Sequence, residues 1–521
     1  MPEQSTPLTG RTRAAVVIVV ALILAAGVLL RFWTRSGLWL DEALNVDISK
    51  LPLGQIPGAL KHDGAPPLFY VLLHFWMKVF GQSNLATRSL SGIFGVATLP
   101  VVWLCGKRLG GKTVAWTATI LMASAPFAVY YATEARMYAL VILLTGCGYL
   151  ALERAVMAPR PGNLIAVGVV TAALLYTQYW ALYLVAVVGL WLVIAVVRAR
   201  HHGDPPPWAA LGAVVVGGLL FVPWLPTFIY QAKHTGTPWA APPNFAAVIN
   251  AITGFTDNQA SNLTAGTNQG RLLALVYFAL MALALFGVAR SKRIIELDLH
   301  TQPTSRGPTF IVVGTLFVAV GGGILTGSAF APRYAAVVFL PLILLVALGT
   351  MTLLSNRIRL VVVAIAVVAG LVGSAQNVVT QRTQAPNVAN VINAEAEPGD
   401  IIAFCPDQLG PSVYRVVVDQ SRFDMLTFPR RIGPQRVDWV DYEKTVHAAS
   451  TASFVQDLIN KAGTSHNIWL VWQDGYQTYS TKCGQIASDL ATAPNYGAHN
   501  WVVDHPAIYY EPMNLTQFHH D

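Results

Sequence analysis

Charge is what this chain has least of. Only 12% of its 521 residues are Asp, Glu, Lys or Arg, where a soluble protein carries roughly 25%. A water-soluble fold could not hide a chain that is 54% hydrophobic. That excludes an ordinary multidomain soluble enzyme and leaves a polytopic α-helical membrane protein, because a bilayer solvates apolar helices and helices satisfy their own backbone. Four cysteines are too few for a disulfide scaffold. The sequence also lacks a P-loop, a dinucleotide fingerprint leading a strand–helix unit, a CxxC pair and an HExxH pair. The net charge of +8 could point to nucleic acid, but basic residues also collect on the cytoplasmic side of membrane proteins, and nucleic acid is not an expected partner.

What charge there is falls unevenly. Residues 1–379 hold 25 basic and 11 acidic side chains, a net of +14, and residues 380–521 hold 9 and 15, a net of −6. The shift marks a domain boundary near Gln376–Gln384. Before it, apolar runs long enough to span (~17–25 residues) recur. They lie near Ala14–Leu30, Ser89–Gly106, Thr113–Tyr131, Met137–Leu152, Leu164–Tyr176, Ala181–Val197, Pro207–Trp224, Leu272–Val288, Phe310–Leu325, Ala335–Leu354 and Leu360–Val378, eleven in all. The first is read as a retained span, since Arg31 and the aromatic pair Trp33 and Trp39 follow it directly. The segment Pro66–Phe80 is apolar but short and carries His74 and Lys78. Leaving it at the interface places every basic cluster on one side: Arg11/Arg13, Lys107/Arg108/Lys112, Arg154/Arg160, Arg198/Arg200, Arg290/Lys292/Arg293/Arg306 and Arg357/Arg359. By the positive-inside rule that side is the cytoplasm. The expectation is a multi-pass plasma-membrane protein with a cytoplasmic N-terminus, a long first outer loop (33–88), a second large outer loop (225–270) and an extracytoplasmic C-terminal domain (380–521).

In the first outer loop Leu44, Ile48 and Leu51, then Leu53, Ile56 and Leu60, recur at helical spacing around Pro52. They predict two short amphipathic helices on the bilayer surface. The C-terminal domain reads as soluble α/β, with strands at Asp400–Cys405 and Asn467–Trp472 and helices at Ser450–Ala462 and Lys482–Ala491. Cys405 and Cys483 both fall outside the cytoplasm, so a disulfide between them is expected, the alternative being two buried thiols. Cys105 and Cys147 sit in spans and read as packing residues. Asn262-Leu263-Thr264 and Asn514-Leu515-Thr516 match glycosylation acceptors.

Six acids of the membrane part remain on the outer side: Asp41, Glu42, Asp47, Asp63, Glu134 and Asp257. Asp41 and Glu42 are adjacent, just after the first span. They could simply begin a helix that starts near Ala43, or one could act as a general base for an acceptor hydroxyl at a half-desolvated boundary. Neighbours on a helix do not face each other, so the two should differ in role: Asp41 as base, Glu42 as orienting support. His62, in His62-Asp63-Gly64-Ala65-Pro66-Pro67, could donate to a phosphate or a sugar hydroxyl or make ordinary loop hydrogen bonds. Tyr130 to Tyr138 form a tight outer turn whose Glu134 and Arg136 are costly at that depth unless partnered or functional. Arg136 can grip a phosphate in a bidentate manner; a structural Glu134–Arg136 pair is the alternative. Arg333, in Pro332-Arg333-Tyr334, defies the positive-inside trend, and binding an anionic headgroup is a reason to do so. Arg88 is a weaker candidate of the same kind.

These motifs, in their order along residues 14–380, resemble the integral-membrane glycosyltransferases of the GT-C fold, and within them glycosyltransferase family 39, with its protein O-mannosyltransferases and lipid A aminoarabinose transferases. The run is Leu40-Asp41-Glu42, then His62 to Pro66-Pro67-Leu68-Phe69-Tyr70, then Phe80-Gly81 and Ala86-Thr87-Arg88, then Pro126-Phe127, Tyr130-Tyr131 and Glu134-Ala135-Arg136-Met137-Tyr138, and last Pro332-Arg333-Tyr334. The resemblance implies a polyprenyl-phosphate sugar donor, transfer on the extracytoplasmic side, an acidic catalytic base falling on Asp41, and basic residues at the donor phosphate. For these we expect Arg136 and Arg333, with His62, Arg88, Glu134, Tyr138 and Tyr334 around the donor. It implies an acceptor that is a lipid, glycan or protein of the cell envelope. The Ala- and Val-rich spans point to an actinobacterial source, hence mannose or arabinose as the sugar. A divalent metal stays open: Asp41 and Glu42 could ligate one, yet no His/Asp/Glu cluster demands it. The rival classes are a transporter or flippase of lipid-linked sugars and a non-catalytic assembly protein. Transporters tend to carry internal repeats, and none is visible.

Overall fold

The computed structural model describes residues 10–236, 243–257, 267–292, 294–327 and 330–520. The sequon at Asn262 and the basic residue Arg293 lie outside them. Eight described helices are long and apolar enough to cross a membrane, and the protein is a multi-pass membrane protein. One of the eight, Asn84–Ser124, is two spans folded into a hairpin at Gly110 and Gly111. A Cβ at Gly106 would lie 2.8 Å from the Cα of Ala115, although nine residues of straight helix would separate them by about 13.5 Å. Gly111, at φ +80°, supplies the left-handed step that glycine takes without a Cβ penalty. With the shorter apolar helices Ala14–Leu30 and Pro161–Thr177, every one of the eleven apolar runs contains a helix.

One boundary differs from the sequence reading, and proline causes it. The run Thr113–Tyr131 is not continuous. The residue before a proline is driven out of the α region, and Ala125 is extended (ψ 126°) ahead of a separate helix Pro126–Ala132. The break frees carbonyl oxygens inside the bundle, where water cannot satisfy them. The last membrane helix, Asn356–Val379, does so instead: the Ser374 hydroxyl donates to Ser124 O (2.9 Å) and the Asn377 amide to Pro126 O (3.2 Å). The described residues of the second outer loop include helices Leu225–His234 and Ala246–Gly254. At the centre of the bundle runs Ala336–Gly349, apolar on all sides, with every residue but Pro341 buried, so it faces protein all round.

The C-terminal region holds a five-stranded sheet. Its strand order is Asp424–Thr427, Ile401–Cys405, Ile468–Trp472, Asn514–His520, Tyr496–Val502, the first three parallel and the last two antiparallel. Strand Ile401–Cys405 is buried at every position, as a strand must be when both faces are covered. Ile401, Ala403 and Cys405 point into one core with Phe454, Leu458 and Ile486, while Ile402 and Phe404 point into another with Val388 and Ile392. Cys405 and Cys483 form a disulfide that ties this strand to helix Lys482–Ala491. Asn514 lies in a paired strand with its amide donating to Trp472 O and Gln473 Oε1, so its sequon is part of the sheet rather than a free loop.

Beside that disulfide, Asp407 is buried and accepts hydrogen bonds from the Tyr442 and Tyr479 hydroxyls. Burial pushes its carboxyl up to about 7. A carboxyl raised in the folded state contributes stability that is fully present below the ordinary carboxylate range and is lost as pH rises to about 7. Hydrogen exchange of strand Ile401–Cys405 in the intact protein should therefore quicken between pH 4 and 7 beyond its intrinsic rate, and Asp407→Asn should remove that excess.

The predicted helices of the first outer loop are present as Leu40–Ser49 and Ile56–Asp63, but the former does not lie on the bilayer surface. It is clamped between the two parts of the chain. Trp39, Leu40 and Leu44 enter the core of the C-terminal sheet, while Ala43, Val46 and Ile48 enter that of the helix bundle. Nine of its ten residues are buried, and the exception is Asp41.

Candidate active site at the Leu40–Ser49 helix

The first turn of this helix sets the site. Its N-cap, Trp39, offers no side-chain cap, so the exposed N–H groups need partners from elsewhere. One comes from a distant part of the chain: Leu40 N donates to Glu511 Oε1 (3.1 Å), and burial pushes the Glu511 carboxyl up to about 8. Asp41 and Glu42 sit where the helix dipole favours negative charge, and their environments are opposite.

Glu42 is wholly buried and saturated. It accepts from Arg88 Nε (2.7 Å) and Nη2 (2.5 Å) and from Ala135 N (2.9 Å), and Arg382 Nη1 lies 3.6 Å away. Burial alone would raise its carboxyl; the Arg88 guanidinium, then Arg382, outweigh that and hold it below the usual range. Glu42 thus orients the helix and cannot touch a substrate. Arg88 is corrected with it. Rather than meeting a donor phosphate, Arg88 spends two further donors on Ser36 O (2.6 Å) and Gly37 O (2.8 Å). A carboxylate and two carbonyls thus take four of the five N–H donors of that buried cation.

Asp41 keeps 17% of its side chain exposed and, among the described residues, meets two cations, Arg136 at 3.4 Å and Arg333 at 4.0 Å. Arg136 is aimed by Asn45, one helical turn beyond Asp41, whose Oδ1 accepts from Arg136 Nη1 (3.1 Å) while its amide donates to Ala135 O (2.9 Å). The Tyr138 ring lies 5.8 Å from the Arg136 guanidinium, and the Trp39 and Tyr334 rings 6.0 and 5.5 Å from that of Arg333. The Tyr138 hydroxyl and Arg136 Nε are buried without a hydrogen-bond partner among the described residues. Two guanidiniums against one carboxylate leave a net charge of +1 there. Buried donors with nothing to bind beside a net positive charge are what an anionic ligand requires.

Three other expectations are revised. Glu134 does not pair with Arg136 through its carboxylate. It accepts from Trp39 Nε1 (2.9 Å), and burial raises its carboxyl, assisted by Glu42 against the pull of Arg382. It supports the Trp39 wall of the site. His62 bonds Asp438 of the C-terminal domain (2.9 Å). Asp41 and Glu42 do not converge on a common point, since Glu42 is committed to arginines, and among the described residues no three His, Cys, Asp or Glu side chains form a metal cluster.

Arg382 and Glu511 escaped the sequence reading. Arg382 is fully buried, donates to Thr133 O (2.9 Å) and Oγ1 (2.7 Å), and stacks 4.2 Å from the Tyr130 ring. Its signal was available: like Arg333, it is a lone arginine on the side away from the basic clusters. Glu511 had none, being 471 residues from its partner.

Comparison with known proteins agrees with this architecture. Residues 64–226 match the family described as dolichyl-phosphate-mannose-protein mannosyltransferase. No curated protein matches the sequence. The structure is similar to that of ArnT from Cupriavidus metallidurans in the apo state, with a TM-score of 0.60 at 14% identity over 97% of this chain and 98% of that one. It is similar to the same protein bound to undecaprenyl phosphate, at 0.59 and 14% over 96% and 98%. The oligosaccharyltransferase of Archaeoglobus fulgidus follows at 0.50 and 12%, over 93% of this chain and 73% of that one. Helix bundle, first-loop helices and C-terminal sheet together give this chain the GT-C glycosyltransferase fold of ArnT.

Proposed function

We propose that the protein transfers a sugar from a polyprenyl-phosphate donor to an extracytoplasmic acceptor, with inversion at the anomeric carbon. The observation that carries this reading is the exposed carboxylate of Asp41 between Arg136 and Arg333. The acceptor hydroxyl gives its proton to Asp41 as its oxygen bonds to the anomeric carbon. The bond from that carbon to the phosphate oxygen breaks, and the lipid phosphate leaves with the electron pair, its charge held by the two arginines. The solved ArnT bound to undecaprenyl phosphate supports the donor class, and the matched family description favours mannose over arabinose. The basic turns Lys107–Lys112 and Arg357/Arg359 support, through the positive-inside rule, a cytoplasmic N-terminus with the site on the outer side of a plasma membrane as part of this reading.

Incubation of the purified protein in lipid nanodiscs with labelled polyprenyl-phosphate mannose and a panel of lipid, glycan and peptide acceptors should move the label to one acceptor and release polyprenyl phosphate. Movement of the intact lipid-linked sugar across a vesicle bilayer, without cleavage, would replace this reading with a transporter. Arg136→Ala should weaken donor binding. Losing a charged hydrogen bond costs about 1.5–3 kcal/mol, roughly 10- to 100-fold in Kd. A donor Kd unchanged in a titration with polyprenyl phosphate would remove Arg136 from the phosphate site.

A further inference from the structure

The helix that carries Asp41 has no cap of its own, and the C-terminal domain provides one. Leu40 is the first residue of the helix, so its N–H is one of the donors that no carbonyl of the same helix can reach. It donates to Glu511 Oε1 (3.1 Å), while Trp39, at the capping position, makes no side-chain bond. A carboxyl oxygen on a first-turn N–H replaces an N-cap side chain, here from 471 residues away. Asp41 is the next residue along, so the bond fixes the backbone one peptide from the proposed base.

Glu511 is itself held through its main chain. Its N–H donates to Arg382 O (2.8 Å) and its carbonyl accepts from Gln384 N (3.0 Å), a parallel bridge across Thr383. The Gln384 amide adds three bonds to the same stretch. It donates to Val503 O (2.7 Å) and accepts from His505 N and Met513 N (3.2 Å each). Residues 382–384 lie just beyond the last membrane helix, Asn356–Val379, so Glu511 is fastened to the membrane part. The neighbouring Tyr510 ring meets Trp39 edge-on, 5.1 Å between centroids. Trp39 in turn flanks the Arg333 guanidinium (6.0 Å) and donates to Glu134. Tyr510 and Glu511 thus bear on the side chain and the backbone of one turn.

An ionised carboxylate so near Asp41 would compete with it for Arg136 and Arg333. Burial, reinforced by the Asp41 charge, pushes the Glu511 carboxyl up to about 8. At neutral pH it therefore keeps its proton and accepts from Leu40 N without adding a second negative charge.

We infer that Glu511 is a positioning residue: through Leu40 N it sets where the Asp41 carboxylate stands between acceptor hydroxyl and donor phosphate, so that the C-terminal domain completes the catalytic centre. The inference rests on the glycosyltransferase reading above and adds a group to its site. The test is Glu511→Ala in the full-length protein in nanodiscs, with labelled polyprenyl-phosphate mannose and whichever panel acceptor the wild type glycosylates. A misplacement of about 1 Å can cost ~10²-fold in rate. Expected is a kcat per folded molecule at least about tenfold lower, with acceptor KM and the Kd for polyprenyl phosphate within about twofold of wild type. Glu511→Gln, which keeps a neutral carbonyl oxygen for Leu40, should recover most of the rate. Leu40→Pro breaks the same bond from the other end and stands in if the alanine variant does not fold. Proline has no N–H, suits the first helical position and follows an extended residue, as Trp39 is (φ −82°, ψ 172°). Leu40→Pro should lower kcat as Glu511→Ala does, and the double variant should fall no further, because both remove one interaction. A wild-type kcat in Glu511→Ala, even with a lower melting temperature, would leave a structural cap alone and overturn the inference. So would a glutamine variant as slow as the alanine one, or losses that multiply in the double variant. A wild type that transfers to no acceptor would instead be the failure of the glycosyltransferase reading, and the positioning role would fall with it.

Discussion

Asp41→Asn should lower sugar transfer by about 10²–10⁴-fold, the range that general-base catalysis supplies, while polyprenyl phosphate binds as well as before or more tightly. The asymmetry follows from the charges. Asn keeps the shape of the side chain but cannot take a proton, and it frees Arg136 and Arg333 from the one carboxylate they share. The other outer acids are excluded by their surroundings. Glu42 is saturated by arginines, and Glu134 is buried against Trp39. Asp47 is buried beside Lys50 and Arg415, and Asp257 holds Thr267 through its backbone N–H and hydroxyl. The exception is Asp63, which lies close enough to Asp41 and Arg136 to feel their charges. The discriminating measurement is single-turnover transfer with both variants at saturating donor. If Asp63→Asn is the dead enzyme and Asp41→Asn retains its rate, the base has been misassigned.

The sequence carried most of the fold because membrane and sheet both write themselves in local pattern. Apolar runs located the helices, and a buried run in Ile401–Cys405 or Ile468–Trp472 reads as a strand without any partner being known. The site was legible only as far as its residues announce themselves locally. Asp41 and Arg333 stand out as charges where charge is costly. Whether an arginine in such a place grips a ligand or a carboxylate depends on what the fold brings to it, and that is why Arg88 was misread: its partner Glu42 is 46 residues away. For His62 the sequence left two roles open, and its partner Asp438, 376 residues on, could not be seen from either. The helix Leu225–His234 has a local cause, Pro226 in its first turn, whereas the bonds from Gln231 to the Leu60 and Ala65 carbonyls are long-range and silent in the sequence.

Glu42→Ala should fail differently from Asp41→Asn, through the fold rather than the chemistry. Arg88 and Arg382 expose 4% and 0% of their side chains. Removing the carboxylate between them leaves two buried guanidiniums without their counter-charge, and breaking a buried pair in this way costs about 3–5 kcal/mol. That is a large part of the ~5–15 kcal/mol by which a domain is stable. The expected result is a melting temperature lower by several degrees and a reduced yield of monodisperse protein, with activity lost in proportion. Replacing both partners should be milder than replacing one. Glu42→Leu combined with Arg88→Met should recover part of the loss, because an apolar pair of similar volume avoids the desolvation that the ions suffer. Thermal unfolding of the single and double variants at one heating rate checks this, since membrane proteins of this size commonly unfold irreversibly. A Glu42→Ala protein that melts like the wild type yet transfers no sugar would make Glu42 a catalytic group after all, and would require the helix to open so that the carboxylate can leave Arg88.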